Sequence, residues 1–123
     1  MVKGIGTDIL AIKRIRSIVE NNANDAFIKK TFTKAEIDLA ATRHDPVMLF
    51  ATRFAGKEAI FKALHITEDI RLNEIEILEA DAGRPYVVLH GKIKDMAEKK
   101  GISFIEISLS YETDYAVAFA VAI

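Results

Sequence analysis

Cysteine is absent from the 123 residues, which excludes a disulfide framework, a thiolate nucleophile and a zinc–cysteine site together. Any chemistry must therefore use oxygen and nitrogen groups. There is no apolar run long enough for a membrane helix and no opening in which a charged segment precedes an apolar one, so a soluble cytoplasmic protein without membrane contact is expected. Charge of neither sign dominates, with 17 Lys and Arg against 18 Asp and Glu. With no arginine-rich or aromatic-interleaved tract either, no nucleic-acid partner is expected. Internal repeats, low-complexity segments and linkers are missing too. What remains is a chain that is 50% hydrophobic, read as one domain over residues 1–123. It is large enough for a core but small for an enzyme that must enclose a large substrate alone, so oligomerisation would help.

Val2 to Asp8 alternates small or apolar residues and predicts a short strand, after which Ile9, Ile12, Ile15 and Val19 repeat at helical spacing. Asp8 falls at the expected strand-to-helix junction, where its structural role would be an N-cap. Gly4 and Gly6 resemble the start of a dinucleotide fingerprint, but Ile9 occupies the third glycine position and the match fails. Lys13, Arg14 and Arg16 make the first helix basic, which suits either a solvated face or a dock for an acidic partner. Asn21 to Asn24 reads as a turn and Ala26 to Lys30 as a short helix. Thr33 and Glu36 form a capping box that starts another helix to about Thr42. Asp45 as cap and Pro46 in the first turn open the longest element, running to about Leu64.

In that long helix Val47, Phe50, Phe54, Phe61 and His65 align on one side at about 100° per residue, with Glu58 among them. A buried carboxylate needs compensation from a basic side chain or a metal ion. Lys62 lies one turn on, and Arg53 and Lys57 border the same helix. A surface ion pair, with the stripe misplaced by a residue or two, explains the same spacing. Beyond Thr67 the period becomes two. Leu72 to Glu79 and Tyr86 to Leu89 predict a hairpin turning at Asp81, Gly83 and Pro85, then Gly91 to Lys100 a helix stopped by Gly101. Ile102 to Ser110 and Tyr115 to Ile123 predict a second pair of strands. In the last, Ala116, Ala118, Ala120 and Ala122 form one face, fit for close approach of a helix or another subunit. The element order makes an α+β domain.

Asp8 and Glu58 are the acidic residues hardest to explain as surface charges. Two carboxylates with lysines nearby suit a hard divalent cation, Mg²⁺ before others, completed by a phosphate-containing substrate.

Gly4-Ile5-Gly6-Thr7-Asp8-Ile9, continuing to Lys13-Arg14-Ile15, resembles the opening motif of the holo-acyl-carrier-protein synthases, the small bacterial 4′-phosphopantetheinyl transferases. Arg53-Phe54-Ala55-Gly56-Lys57-Glu58-Ala59, with Lys62-Ala63-Leu64, resembles their second motif. Asp81, Gly83, Arg84, Pro85 and Tyr86 are similar to the family's hairpin, and Ser108-Leu109-Ser110 followed by Tyr115-Ala116-Val117-Ala118 to its closing strands. The resemblance implies the 4′-phosphopantetheinyl transferase fold, with an antiparallel sheet packed against a long helix and several shorter helices. It also implies transfer of the 4′-phosphopantetheine arm of coenzyme A to a serine of apo acyl carrier protein, releasing adenosine 3′,5′-bisphosphate, in fatty-acid biosynthesis. Asp8 and Glu58 become Mg²⁺ ligands, and Asp8, Glu58 and Lys62 the catalytic set, with Glu58 the candidate base for the serine proton, directly or through a bound water. Arg53, Lys57, Lys62 and Ser110 are expected at coenzyme A, and Lys13, Arg14 and Arg16 at the acidic helix of the carrier protein. A homotrimer with active sites between subunits is implied as well.

The chain departs from the family pattern twice. Ser110-Tyr111 stands where serine-histidine is usual, replacing a cationic phosphate contact with a phenol. His65-Ile66-Thr67-Glu68-Asp69 replaces a glycine-rich turn, and Glu68 and Asp69 would repel phosphate if they faced it. His65 is expected to serve the helix end or the core, and His44 and His90 to be exposed at helix ends or in loops. Two other functions stay open, the first because of these departures and the second independently of them. One is a relative that binds coenzyme A or carrier protein but transfers weakly. The other is a Mg²⁺-dependent phosphohydrolase using the same two carboxylates.

Overall fold

The computed structural model describes residues 1–21 and 25–123. The chain opens with β1 (Gly4–Ala11) and runs through four helices, α1 (Ile12–Glu20), α2 (Asp25–Thr31), α3 (Lys34–Ala41) and α4 (Pro46–Ala63). It then turns to the hairpin β2 (Ile75–Glu79) and β3 (Pro85–Leu89), helix α5 (Gly91–Lys99), and strands β4 (Ile105–Tyr111) and β5 (Tyr115–Ala122). This is the expected α+β fold, an antiparallel sheet against a long helix and several shorter ones. The turn expected over Asn21 to Asn24 lies, beyond Asn21, outside the described residues. Among the described residues no helix is long and apolar enough to cross a membrane.

β1, β5 and β4 make a three-stranded sheet in the order β1-β5-β4, and β2 with β3 a separate two-stranded one. β5 occupies the middle because its alanine row is fully buried, a smooth floor on which α4 lies. The alanine face is thus used by the chain's own helix. β1 approaches as closely: a Cβ on Gly4 or Gly6 would lie 1.9 Å from the carbonyl oxygen of Ala63 or Ala59, so only glycine lets this strand pass the helix. The glycine pair is a packing device. The sheet's other face carries Ile5, Ile9, Tyr115, Val117 and Phe119, all exposed, Ile9 by 64% and Phe119 by 45%.

Three local readings change. β1 continues to Ala11, paired residue for residue with β5, so Asp8 stands opposite Ala118 in mid-strand. α1 begins at Ile12 behind Ala11, which makes no side-chain cap. Asp8 is therefore not an N-cap, because eight residues of sheet pairing outweigh the helical spacing of Ile9 and Ile12. Asp45 does precede α4, but its carboxylate makes no cap bond and goes to Arg16 at 2.8 Å. The third change concerns the stripe on α4. Sheet, α1, α3 and hairpin enclose this helix on nearly every side, and beyond its first turn the less buried positions are Phe54, Glu58, Phe61 and Lys62. Of the stripe read as inward, Val47 and Phe50 are core, while Phe54, Glu58, Phe61 and His65 turn outward; a helix apolar nearly all round has no phase for periodicity to find.

The capping box forms as read, with Thr33 accepting from the Glu36 backbone and the Glu36 carboxylate from the Thr33 N–H. α5 stops at Gly101 in the left-handed region, φ 75°. Arg84 on the hairpin pairs with Glu106 on β4 at 3.2 Å, tying the two sheets across their edges.

Candidate active site

Asp8 shares the inward row of β1 with Gly4, Gly6 and Leu10, facing α4. Where the strand crosses the helix, Lys62 donates to the Thr7 carbonyl at 2.9 Å and approaches the Asp8 carboxylate at 3.4 Å. Glu58, one turn earlier on α4, completes the group. Burial first, and the negative charge of Asp8 second, hold the Glu58 carboxyl above its ordinary value, with Lys62 opposing them. The structure thus brings together Asp8, Glu58 and Lys62, from segments some fifty residues apart.

The donor set fits a hard cation. Two carboxylates meet with no nitrogen or sulfur ligand, and among the described residues no cluster of three or more His, Cys, Asp or Glu forms a closed cage. Magnesium is held by one or two carboxylates, with water and substrate oxygens filling the rest of its shell. Lys62 supplies one positive charge to two carboxylates and does not offset the burial of Glu58 and the negative charge of Asp8, so Glu58 retains a raised proton affinity.

Arg53 lies elsewhere. Along α4 it is rotated by about 140° from Glu58 and about 180° from Lys62 at 3.6 residues per turn, and it points toward the β4 side of the molecule, while Asp8 is on β1 at the opposite edge of the sheet. Arg53 is 8% exposed and its Nε has no hydrogen-bond partner among the described residues. A cavity of ≈ 570 Å³ surrounds it, lined also by Arg43, His44, Met48, Thr52, Glu79 and Tyr111. Arg43 and Glu79, which the sequence reading does not single out, line this cavity with Arg53. The adjacent Arg43-His44 pair just before α4 was a signal; nothing in the pattern marked Glu79. Ser110 lies on the exposed face of β4, and Tyr111, 60% exposed, follows it at the cavity.

Lys57 requires a correction. Its side chain is 0% exposed and its ammonium is enclosed, donating to Glu36 at 2.8 Å, to the Leu72 carbonyl at 3.0 Å and to the Ile75 carbonyl. All three donors of the ammonium are engaged, so none remains for coenzyme A. Glu36, also fully buried, accepts from Ile77 N at 2.9 Å as well. What reads as a capping box is also the anchor of α4 to β2.

On α1, Lys13 and Arg14 are exposed, with no ion pair among the described residues. Arg16 instead spans Asp45 at 2.8 Å and Glu20 at 3.6 Å, and its hydrogen bond holds the Asp45 carboxyl below the usual range. His65 ends α4 in the left-handed region, φ 54°, and Glu68 lines a cavity with Lys92, Lys99 and Lys100 of the α5 segment. His44 and His90 are exposed at helix starts as expected, and His90 lies 2.9 Å from Glu76.

Comparison with known proteins follows the same outline. The model of the 4′-phosphopantetheinyl transferase superfamily matches residues 4–120. The holo-[acyl-carrier-protein] synthase of Desulforudis audaxviator is 40% identical, with 100% of this chain and 94% of that protein covered. Among solved structures, the Neisseria meningitidis holo-[acyl-carrier-protein] synthase superposes with a TM-score of 0.89 at 34% identity, covering 100% of this chain and 99% of that one. The Helicobacter pylori synthase in complex with coenzyme A gives 0.83 at 27% identity, covering 97% and 99%. Matched almost end to end in sequence and in fold, this chain belongs to the 4′-phosphopantetheinyl transferase superfamily, in its family of holo-[acyl-carrier-protein] synthases.

Proposed function

We propose that this chain, acting as one phosphopantetheinyl transferase domain, moves the 4′-phosphopantetheine arm of coenzyme A to a serine of apo acyl carrier protein. The products are holo carrier protein and adenosine 3′,5′-bisphosphate, and the pathway served is fatty-acid biosynthesis in the cytoplasm. The observation that carries this reading is the meeting of Asp8, Glu58 and Lys62 where β1 crosses α4, in a chain that matches holo-[acyl-carrier-protein] synthases along its whole length.

The serine oxygen attacks the phosphorus that bears the pantetheine arm, the bond from that phosphorus to the bridging oxygen of the pyrophosphate breaks, and the adenosine bisphosphate leaves with that oxygen. Asp8 and Glu58 would hold Mg²⁺, which when bound neutralises the pyrophosphate and stabilises charge on the departing phosphate. Lys62 places its ammonium at the same phosphates. Glu58, placed beside Asp8 and Lys62, accepts the serine proton directly or through a bound water. Lys13 and Arg14, free on α1, receive the acidic helix of the carrier protein and set its salt-sensitive association, while Arg16 secures α1 to the start of α4.

Coenzyme A carries one further phosphate, on the ribose 3′ carbon. With the pyrophosphate at Asp8, Glu58 and Lys62, this group is left for the cavity of Arg43 and Arg53, where the buried Arg53 Nε has no acceptor among the described residues and Tyr111 lines the wall; Ser110, on the exposed face of β4, does not line it. Those two clusters occupy opposite edges of one sheet, so a single copy does not offer both to one ligand. A homotrimer joined through the exposed face of the sheet would bring the β1 edge of one copy to the β4 edge of the next.

Mass spectrometry of apo carrier protein incubated with this chain, coenzyme A and Mg²⁺ tests the reading. The carrier should gain the mass of the phosphopantetheine arm. Carriers that bind without ever gaining it, across several cognate candidates, would refute transfer.

A further inference from the structure

Glu79 stands at the end of β2, and a single oxygen of its carboxylate faces two guanidinium groups. Its Oε2 accepts a hydrogen bond from Arg43 Nη2 and lies 3.8 Å from Arg53 Nη2. Both arginines line the ≈ 570 Å³ cavity, and so does Glu79. The carboxylate fills the space between the cations incompletely, because Arg53 Nε, on the same guanidinium, remains buried with no acceptor among the described residues. A planar carboxylate held at the end of a strand reaches one edge of the fork. A phosphate, with three oxygens and nearly two charges, can meet both arginines and the unmet Nε together.

We propose that Glu79 is an internal competitor for the ribose 3′-phosphate, occupying its place between Arg43 and Arg53 and returning to it when the adenosine bisphosphate product departs. The inference rests on the reading that this cavity receives that phosphate. Ligand entry exchanges one anion for another, so the arginines are never left without a counter-charge, and the net affinity is the difference between two ion-pair sets. Whether the displaced carboxylate swings to solvent or stays nearby, its negative charge opposes the phosphate, so the sign of the effect is the same. Glu79 therefore weakens the hold on coenzyme A and on the product alike, and shortens the lifetime of the product complex.

The test is calorimetric titration of the full-length protein, with Mg²⁺ present, using adenosine 3′,5′-bisphosphate and adenosine 5′-monophosphate. Glu79→Gln should tighten the bisphosphate by roughly 3- to 20-fold and leave the monophosphate within about twofold, the scale of one partly exposed charge. Glu79→Thr, suited to a strand end, should change affinity in the same direction, and under turnover both variants should be more strongly inhibited by the bisphosphate. If both variants bind the bisphosphate no better than the native protein while Arg53→Gln binds it more weakly, the competitor role is wrong and the cavity assignment stands. If Arg53→Gln leaves bisphosphate affinity unchanged, the assignment of the cavity falls, and the role of Glu79 with it.

Discussion

Glu58 carries opposite demands at the scale of a single residue. Its carboxyl is held above the ordinary value of 4.5 by burial and by Asp8, so the folded chain binds this proton more tightly than the unfolded chain does. In the absence of metal, the group's contribution to stability is therefore full below about 4.5 and is lost as pH rises through the raised folded value. Glu58→Gln should melt higher than the native protein at neutral pH without Mg²⁺, the difference closing toward the ordinary carboxylate value, while transfer falls by about 10²-fold or more with loss of the base. A variant with near-native turnover would remove Glu58 from the centre of the site. Another local strain sits two turns on, at His65. A left-handed backbone costs a non-glycine residue about 1–2 kcal/mol, against about 0.5–1 kcal/mol for the extra freedom of glycine in the unfolded chain. His65→Gly should thus raise stability by about 0.5–1 kcal/mol in denaturant titrations. The glycine expected by resemblance is missing in sequence, yet the backbone conformation that favours it is kept.

At the scale of elements, most of the fold was legible and its polar interior was not. The capping box, the start of α4 at Pro46, the hairpin and the glycine stop after α5 were all read from local chemistry, because each depends on residues within a few positions of one another. Asp8 was misplaced because helical spacing beginning at Ile9 competes with strand alternation, and only pairing with β5, more than a hundred residues away, decides between them. Lys57 was misassigned for a similar reason. Its motif places it beside Glu58, but consecutive residues on a helix point about 100° apart, and the partner that claims it, Glu36, is identified by no sequence period. This pair fixes the rotation of α4, and so the direction in which Glu58 faces. Lys57→Met should destabilise the protein by about 3–5 kcal/mol, since it leaves the Glu36 charge buried and uncompensated. The double variant Lys57→Met with Glu36→Gln should recover part of that loss. A single variant as stable as the native chain would show that the pair does not anchor the helix.

At the scale of the whole molecule, the two halves of the proposed site define what an assembly must do. The alanine row of β5 was read as open to a helix or another subunit; α4 covers it, and the face left for a partner is the one bearing Ile5, Ile9, Tyr115, Val117 and Phe119. Sequence alternation separates the two faces of a strand but does not say which one the chain itself will bury. Asp8 and Glu58 face the β1 edge, Arg43, Arg53 and Tyr111 the β4 edge, with β5 between them. A closed ring uses two different surfaces at every contact, so each interface would join one edge of each kind. This predicts complementation between inactive chains. Glu58→Gln and Arg53→Gln should each transfer poorly alone. Mixed, unfolded and reassembled together in equal amounts, they should restore roughly a quarter of the native activity, the share of interfaces that pair an intact β1 edge with an intact β4 edge in random rings. The two halves lying in one chain would instead leave every site defective and the mixture no more active than the average of its parts. The recovered fraction in a carrier-modification assay, followed as the ratio of the two chains is varied, therefore reports where one copy ends and the next begins at the active site.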